Sequence, residues 1–112
     1  MSEQSADTHL IVYCTCPPGE KALDIAETLV REHLAACVNV LAGITSFFHW
    51  EDKLQTAAEF LLLAKTTRAR YPELESRLRE LHPYELPEIV AVPMAYGLPD
   101  YLQWIQQEVQ PQ

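Results

Sequence analysis

Apolar residues recur along this chain in two rhythms. "HLIVYCT", residues 9–15, is a short apolar run rich in β-forming side chains and reads as a strand. "CPPGE" ends it, and Pro17, Pro18 and Gly19 mark the entry to a helix. From Glu20 to about Ala36 the apolar positions Ala22, Ile25, Ala26, Leu29 and Val30 fall at helical spacing. The opposite face carries Lys21, Asp24, Glu27, Arg31 and Glu32, with Glu27 placed to meet Arg31 one turn on. "CVNVLAGITSFFHW", 37–50, and "KLQTAAEFLLLAKT", 53–66, return to strand, the first bent or bulged at Ala42–Gly43. Glu51 and Asp52 make the reversal between them, so the two strands form a long hairpin.

A second helix is predicted from about Arg68 to Leu81, with Tyr71, Leu74, Leu78 and Leu81 on one stripe. Pro72 lies in its first turn or delays its start. Glu73 can meet Arg77, and Glu75 can meet Arg79, on the wet side. Pro83 forces His82 out of the α region and ends the helix. "EIVAVPM", 88–94, is the fourth strand, and a last helix over about Asp100 to Val109 buries Tyr101, Leu102, Ile105 and Val109.

The order βαββαβ plus a terminal helix predicts an α+β fold, the ferredoxin-like sandwich with its antiparallel sheet in the order 4-1-3-2. Both crossover helices then cover one face, and the other face should alternate to polar. It does not: in "FLLLA" both Phe60/Leu62 and Leu61/Leu63 are apolar, and "LIVY" and "IVAV" behave alike. Two apolar faces require two covers. The terminal helix, at about three turns, is too short to supply the whole of the second. The expectation is therefore that further copies of the chain supply it in a closed assembly, with Phe47, Phe48 and Trp50 of the hairpin arm as natural contacts.

Composition narrows the function. With 112 residues, 48% of them hydrophobic, the chain is expected to be one domain spanning 8–112 behind a frayed polar tail, 1–7. Eight Lys+Arg against sixteen Asp+Glu give a formal charge of −8, which repels phosphate backbones and argues against nucleic acid as a partner. No apolar run is long enough to span a bilayer, and "MSEQSADTHL" has neither the basic start nor the apolar stretch of a secretory signal. A cytoplasmic location is expected, with the three cysteines as reduced thiols. No phosphate-cradling glycine loop, G-x-S-x-G, H-E-x-x-H or paired C-x-x-C is present, so no enzyme activity is expected.

What chemistry remains gathers at one end of the sheet. The first strand ends at Cys14–Cys16, the third begins its pairing there near Glu59, and the second helix returns His82 to the same end. A thiol, a carboxylate and an imidazole should share one neighbourhood. Each also has a structural explanation. Small buried cysteines are ordinary core residues, Cys37 in "LAACV" above all. A histidine at a helix C-terminus can satisfy free carbonyls. Glu59 shares a strand face with Leu61 and Leu63 and needs either a basic partner or a metal ion. His9 and His33 read as surface residues, and His49 beside Trp50 as an interface histidine. Tyr84, Pro83 and Pro87 stiffen a loop, and Glu85 and Glu88 are solvated.

The stretches "TCPPGEKALDIAETLVREHLAACVNVLAGITSFFHWEDKL", "EFLLLAKTT", "HPYELPEIVAVP" and "YLQWI" closely resemble the CutA divalent-cation-tolerance family, in order and spacing from His9 to Ile105. The resemblance implies a ferredoxin-like subunit in a compact homotrimer, usually cytoplasmic in bacteria, that binds copper or another divalent cation and is linked to metal tolerance. It places the family's proposed metal residues on Cys14, Glu59 and His82. Two departures touch the hairpin: "WEDK" stands for the usual W-x-G-K, and Phe48 stands where a tyrosine often precedes the Trp. A trimeric signalling module binding a small molecule or an unidentified protein in its intersubunit clefts is the rival reading.

Overall fold

The computed structural model describes residues 8–111; the tail expected over 1–7 lies outside them. Seven elements follow in order: β1 His9–Cys16, α1 Glu20–Arg31, β2 Cys37–Trp50, β3 Lys53–Thr67, α2 Tyr71–Leu81, β4 Ile89–Pro93 and α3 Pro99–Glu108. The four strands form one sheet in the order β2-β3-β1-β4, every neighbouring pair antiparallel. This is the ferredoxin-like sandwich that the chain order implies.

Register assigns each side chain to a face. Paired residues in an antiparallel ladder point to the same side. Cys14 pairs with Leu62 and Ile89, and Val12 with Ala64 and Ala91. These residues form the covered face and pack with Ala22, Ile25 and Leu29 of α1 and Leu74 and Leu78 of α2 in the main core. The intervening positions form the other face: Ile11 pairs with Val92 and Lys65, Tyr13 with Val90 and Leu63, and Leu61 with Thr15 and Leu41. Both faces are apolar, as the sequence pattern demands.

Helix α3 takes one end of that second face. It packs a small cluster of Ile105, Val109, Met94 and Leu102 against Ala36. His9, on the Ile11 side of β1, donates from Nε2 to the Leu102 carbonyl at 2.9 Å and is buried. His33 makes a 2.9 Å contact from Nδ1 to the Glu108 carbonyl. The surface assignment is thus corrected for His9, which is buried, while His33 stays partly exposed; both tie α3 to the body. Beyond α3 the face is bare, with Leu41, Val90 and Val92 exposed.

Helix boundaries depart from the periodicity in informative ways. α1 stops at Arg31 rather than near Ala36, because His33 adopts φ 60° and the Leu34 N–H bonds back to the Leu29 carbonyl. Leu34, Ala35 and Ala36 are apolar because they are buried in the turn into β2, not because they continue the helical stripe. α2 begins at Tyr71, with Pro72 in its first turn, where a missing N–H costs nothing. Glu27 and Arg31 pair as expected. Arg77, however, reaches across to α1 and holds both oxygens of Glu32 at 2.9 Å, while Glu73 pairs with Arg70 at 2.7 Å.

The hairpin turn is two residues long, between Trp50 and Lys53, with Glu51 at φ 53° and Asp52 at φ 64°. Positive φ at both central positions is the geometry that matches strand twist in tight hairpins. The register slips between Leu41 and Ile44, and Gly43 at φ 85° supplies a conformation that other residues resist. The bulge forms where the sequence places it.

Candidate metal centre

The end of β1, the start of its pairing with β3 and the end of α2 meet at one point. Cys14 and Cys16, two positions apart on β1, direct their sulfurs to the covered face among α1 and α2 residues. α2 ends where Pro83 requires: His82 is its C-cap, extended at ψ 134°, with its N–H still bonded to the Leu78 carbonyl at 2.8 Å. That conformation turns the imidazole onto the end of β1. The ligand atoms of Cys14, Cys16 and His82 all lie within 4.8 Å of one another, and all three residues are buried.

Both nitrogens of His82 are engaged. Nε2 donates to the Thr15 carbonyl at 2.7 Å, and Nδ1 accepts from the Tyr84 backbone N–H at 3.1 Å. An imidazole that donates from one nitrogen and accepts at the other is the neutral Nε2–H tautomer. The Cys14 sulfur lies 3.8 Å from the same Thr15 carbonyl.

The thiols divide their proton unequally. Hydrogen bonding from the Cys14 thiol, joined by His82, brings Cys16 down to about 6 against the opposing effect of burial. Cys14 is pushed far up, by its hydrogen bond to Cys16, by burial and by the carboxylates of Glu88 and Glu59. Within this hydrogen-bonded pair the two thiols are thus shifted in opposite directions, down at Cys16 and up at Cys14. Burial disfavours charge on His82, but the Cys16 sulfur and the Thr15 carbonyl together hold its pKa above the ordinary value.

Glu59 stands next to this group and outside it. It sits on β3 opposite Ile44, one residue past Phe60, the last β3 residue paired with β1. It is buried, and its Oε2 accepts the Tyr84 hydroxyl at 2.8 Å. Within the single chain its hydrogen-bond partner is a phenol. Tyr84 in turn leans on the His82 ring, centroids 4.7 Å apart. Burial and the Glu59 carboxylate raise its pKa well above that of a free phenol. "HPYE" is thus more than a stiff turn: it holds His82 on one side and Glu59 on the other.

Of the sequence-predicted trio, Cys14 and His82 come together and Glu59 joins them through Tyr84. Cys16 and Tyr84 were missed as site residues. The C-x-C spacing was the available signal for Cys16, since alternate strand positions share a face. For Tyr84 there was none beyond its place two residues after His82.

A two-sulfur, one-imidazole set is a fit for a thiophilic ion. No helix among the described residues is long and apolar enough to cross a membrane.

Comparison with known proteins agrees with the fold and the chain order. The family described as CutA1 divalent ion tolerance protein matches residues 10–108. The divalent-cation tolerance protein CutA of Thermus thermophilus is 46% identical over 97 residues, covering 87% of this chain and 94% of that one. The human protein CutA is 40% identical over 85% of this chain, which spans 53% of that longer protein. Among solved structures, CutA from Xylella fastidiosa superposes with a TM-score of 0.90 at 42% identity, covering 92% of this chain and 99% of that one. One from Archaeoglobus fulgidus, described as a periplasmic divalent cation tolerance protein, gives 0.88 at 39%, covering 91% and 99%. The chain belongs to the CutA1 divalent ion tolerance family.

Proposed function

We propose that the protein is a homotrimer of the cytoplasm that binds copper or another divalent metal ion and takes part in tolerance of such ions, without catalysing a reaction. The observation that carries the reading is the convergence of Cys14 and His82, 68 positions apart in the chain, with donor atoms within 4.8 Å and both residues buried. Cys14 supplies sulfur and His82 imidazole. Glu59 braces the site through Tyr84, whose backbone N–H meets the imidazole and whose hydroxyl meets the carboxylate. Outer partners of this kind orient a metal-binding histidine.

The bare second face supports the trimer. Val90 and Val92 of β4, Leu41 of β2 and, by register, Phe48 and Trp50 of the hairpin arm lie on that face and are all exposed in the single chain. An apolar surface of that extent marks an interaction site. Metal analysis of protein purified without chelator tests the function. Bound copper or zinc that disappears in both Cys14→Ser and His82→Ala is the expected result; equal metal content in wild type and both variants contradicts the assigned ligands.

A further inference from the structure

We infer that the centre is a cage of two sulfurs and one imidazole, from Cys14, Cys16 and His82, that takes copper in its monovalent state and leaves Glu59 uncoordinated. This rests on the metal-binding reading above and names the ion class that the site selects.

The donor set is the first reason. Thr15 separates the two cysteines on a strand, so both sulfurs face the same side, and His82 closes the third edge within 4.8 Å. An ion with ligand bonds of about 2.0–2.3 Å spaces its donors roughly 3.5–4 Å apart, so small side-chain shifts complete the set. Two sulfurs and an imidazole nitrogen are soft and borderline donors, which select copper and zinc over magnesium, calcium or manganese.

Coordination number decides between those two. Zinc closes a tetrahedron with a fourth ligand, from protein or water. Here Cys14 is 1%, Cys16 0% and His82 7% exposed, so water has little access to the cage. Glu88 and Glu59 both act on Cys14, but neither belongs to the cluster of ligand atoms within 4.8 Å, and the Glu59 Oε2 accepts the Tyr84 hydroxyl. Three soft donors in a dry core leave a zinc ion one ligand short, whereas filled-shell monovalent copper is content with three. The oxygen-rich surroundings that hard divalent ions need are absent among the described donors of this cluster.

The test is an anaerobic titration of the full chain with Cu(I) against a chromogenic Cu(I) chelator, repeated with Zn(II). Wild type is expected to bind one Cu(I) per chain more tightly than Zn(II). Cys16→Ala should weaken Cu(I) at least 100-fold, beyond what loss of an outer partner costs, and Glu59→Gln should change it less than about threefold. Circular dichroism checks that Cys16→Ala keeps its fold. X-ray absorption of the copper-loaded wild type, which needs no variant, should show two sulfur neighbours per copper. Cu(I) binding that survives Cys16→Ala and fails in Cys14→Ser, or a single sulfur neighbour with an added oxygen, overturns this inference and leaves the metal-binding reading standing. Wild-type protein that binds neither ion overturns both.

Discussion

Val12 and Leu62, on the side of the sheet that meets α1 and α2, are 0% and 1% exposed, whereas Val90 and Val92, on the other side, are 52% and 38% exposed. The residue types are alike and the sheet is one, but Val12 and Leu62 sit on inner strands under the helices, while Val90 and Val92 sit on the edge strand β4 and face the other way. On the first side, two amphipathic helices of this chain complete the core. On the second, α3 covers one end through His9, His33 and the Ile105 cluster, and the rest is bare. Apolar strand residues are therefore a record of where a cover lies, not of which chain supplies it. The Cys14, Cys16 and His82 cluster belongs to the covered side, and the bare face lies across the sheet from it.

The contrast can be broken from either side. The largest effect is expected at Leu62, which has no route to solvent: Leu62→Ala should lower unfolding free energy by about 2–5 kcal/mol in denaturant titration. On the opposite face, Val90→Ala should cost about 1–2 kcal/mol if a neighbouring chain buries Val90. The same change at a wet position stays within about 0.5 kcal/mol, so this variant reports directly on the second cover. At the end of the arm that continues the bare face, Asp52→Gly should stabilise the hairpin by up to about 1 kcal/mol, because φ 64° suits glycine better; thermal melting reads it.

The smallest effect is expected outside both faces, at the Arg77–Glu32 bridge between α1 and α2. The guanidinium holds the Glu32 carboxyl below its ordinary value. A depressed carboxyl adds stability above its unfolded pKa and loses it as pH falls through the folded one. Glu32→Gln should therefore leave stability nearly unchanged at neutral pH less a small amount, and flatten the acid limb below about pH 5 in melts across pH.

Much of the fold was legible in the sequence because the information is local or topological. Alternation and turn residues placed the four strands, the bulge at Ala42–Gly43 and the reversal at Glu51–Asp52, and the handedness of crossovers then ordered the sheet. The end of α1 was not legible, since Leu34, Ala35 and Ala36 continue a helical pattern while serving a turn, and His33 is an unannounced residue at positive φ. Nor were the tertiary roles of His9 and Arg77, whose partners lie 93 and 45 residues away.

The site divides in the same way. Topology sufficed to bring Cys14 and His82 to one sheet end. Cys16 was set aside because C-x-C is equally a packing pattern, and only the coordinates show its sulfur beside the imidazole. Glu59 was placed in the right neighbourhood, but a hydroxyl contact from a loop tyrosine has no periodicity to betray it.

The central claim is that other copies of this chain cover the bare face of the sheet. Light scattering of the full chain at micromolar concentration tests it most directly. The account predicts three times the mass of one chain; a species of single-chain mass would contradict it.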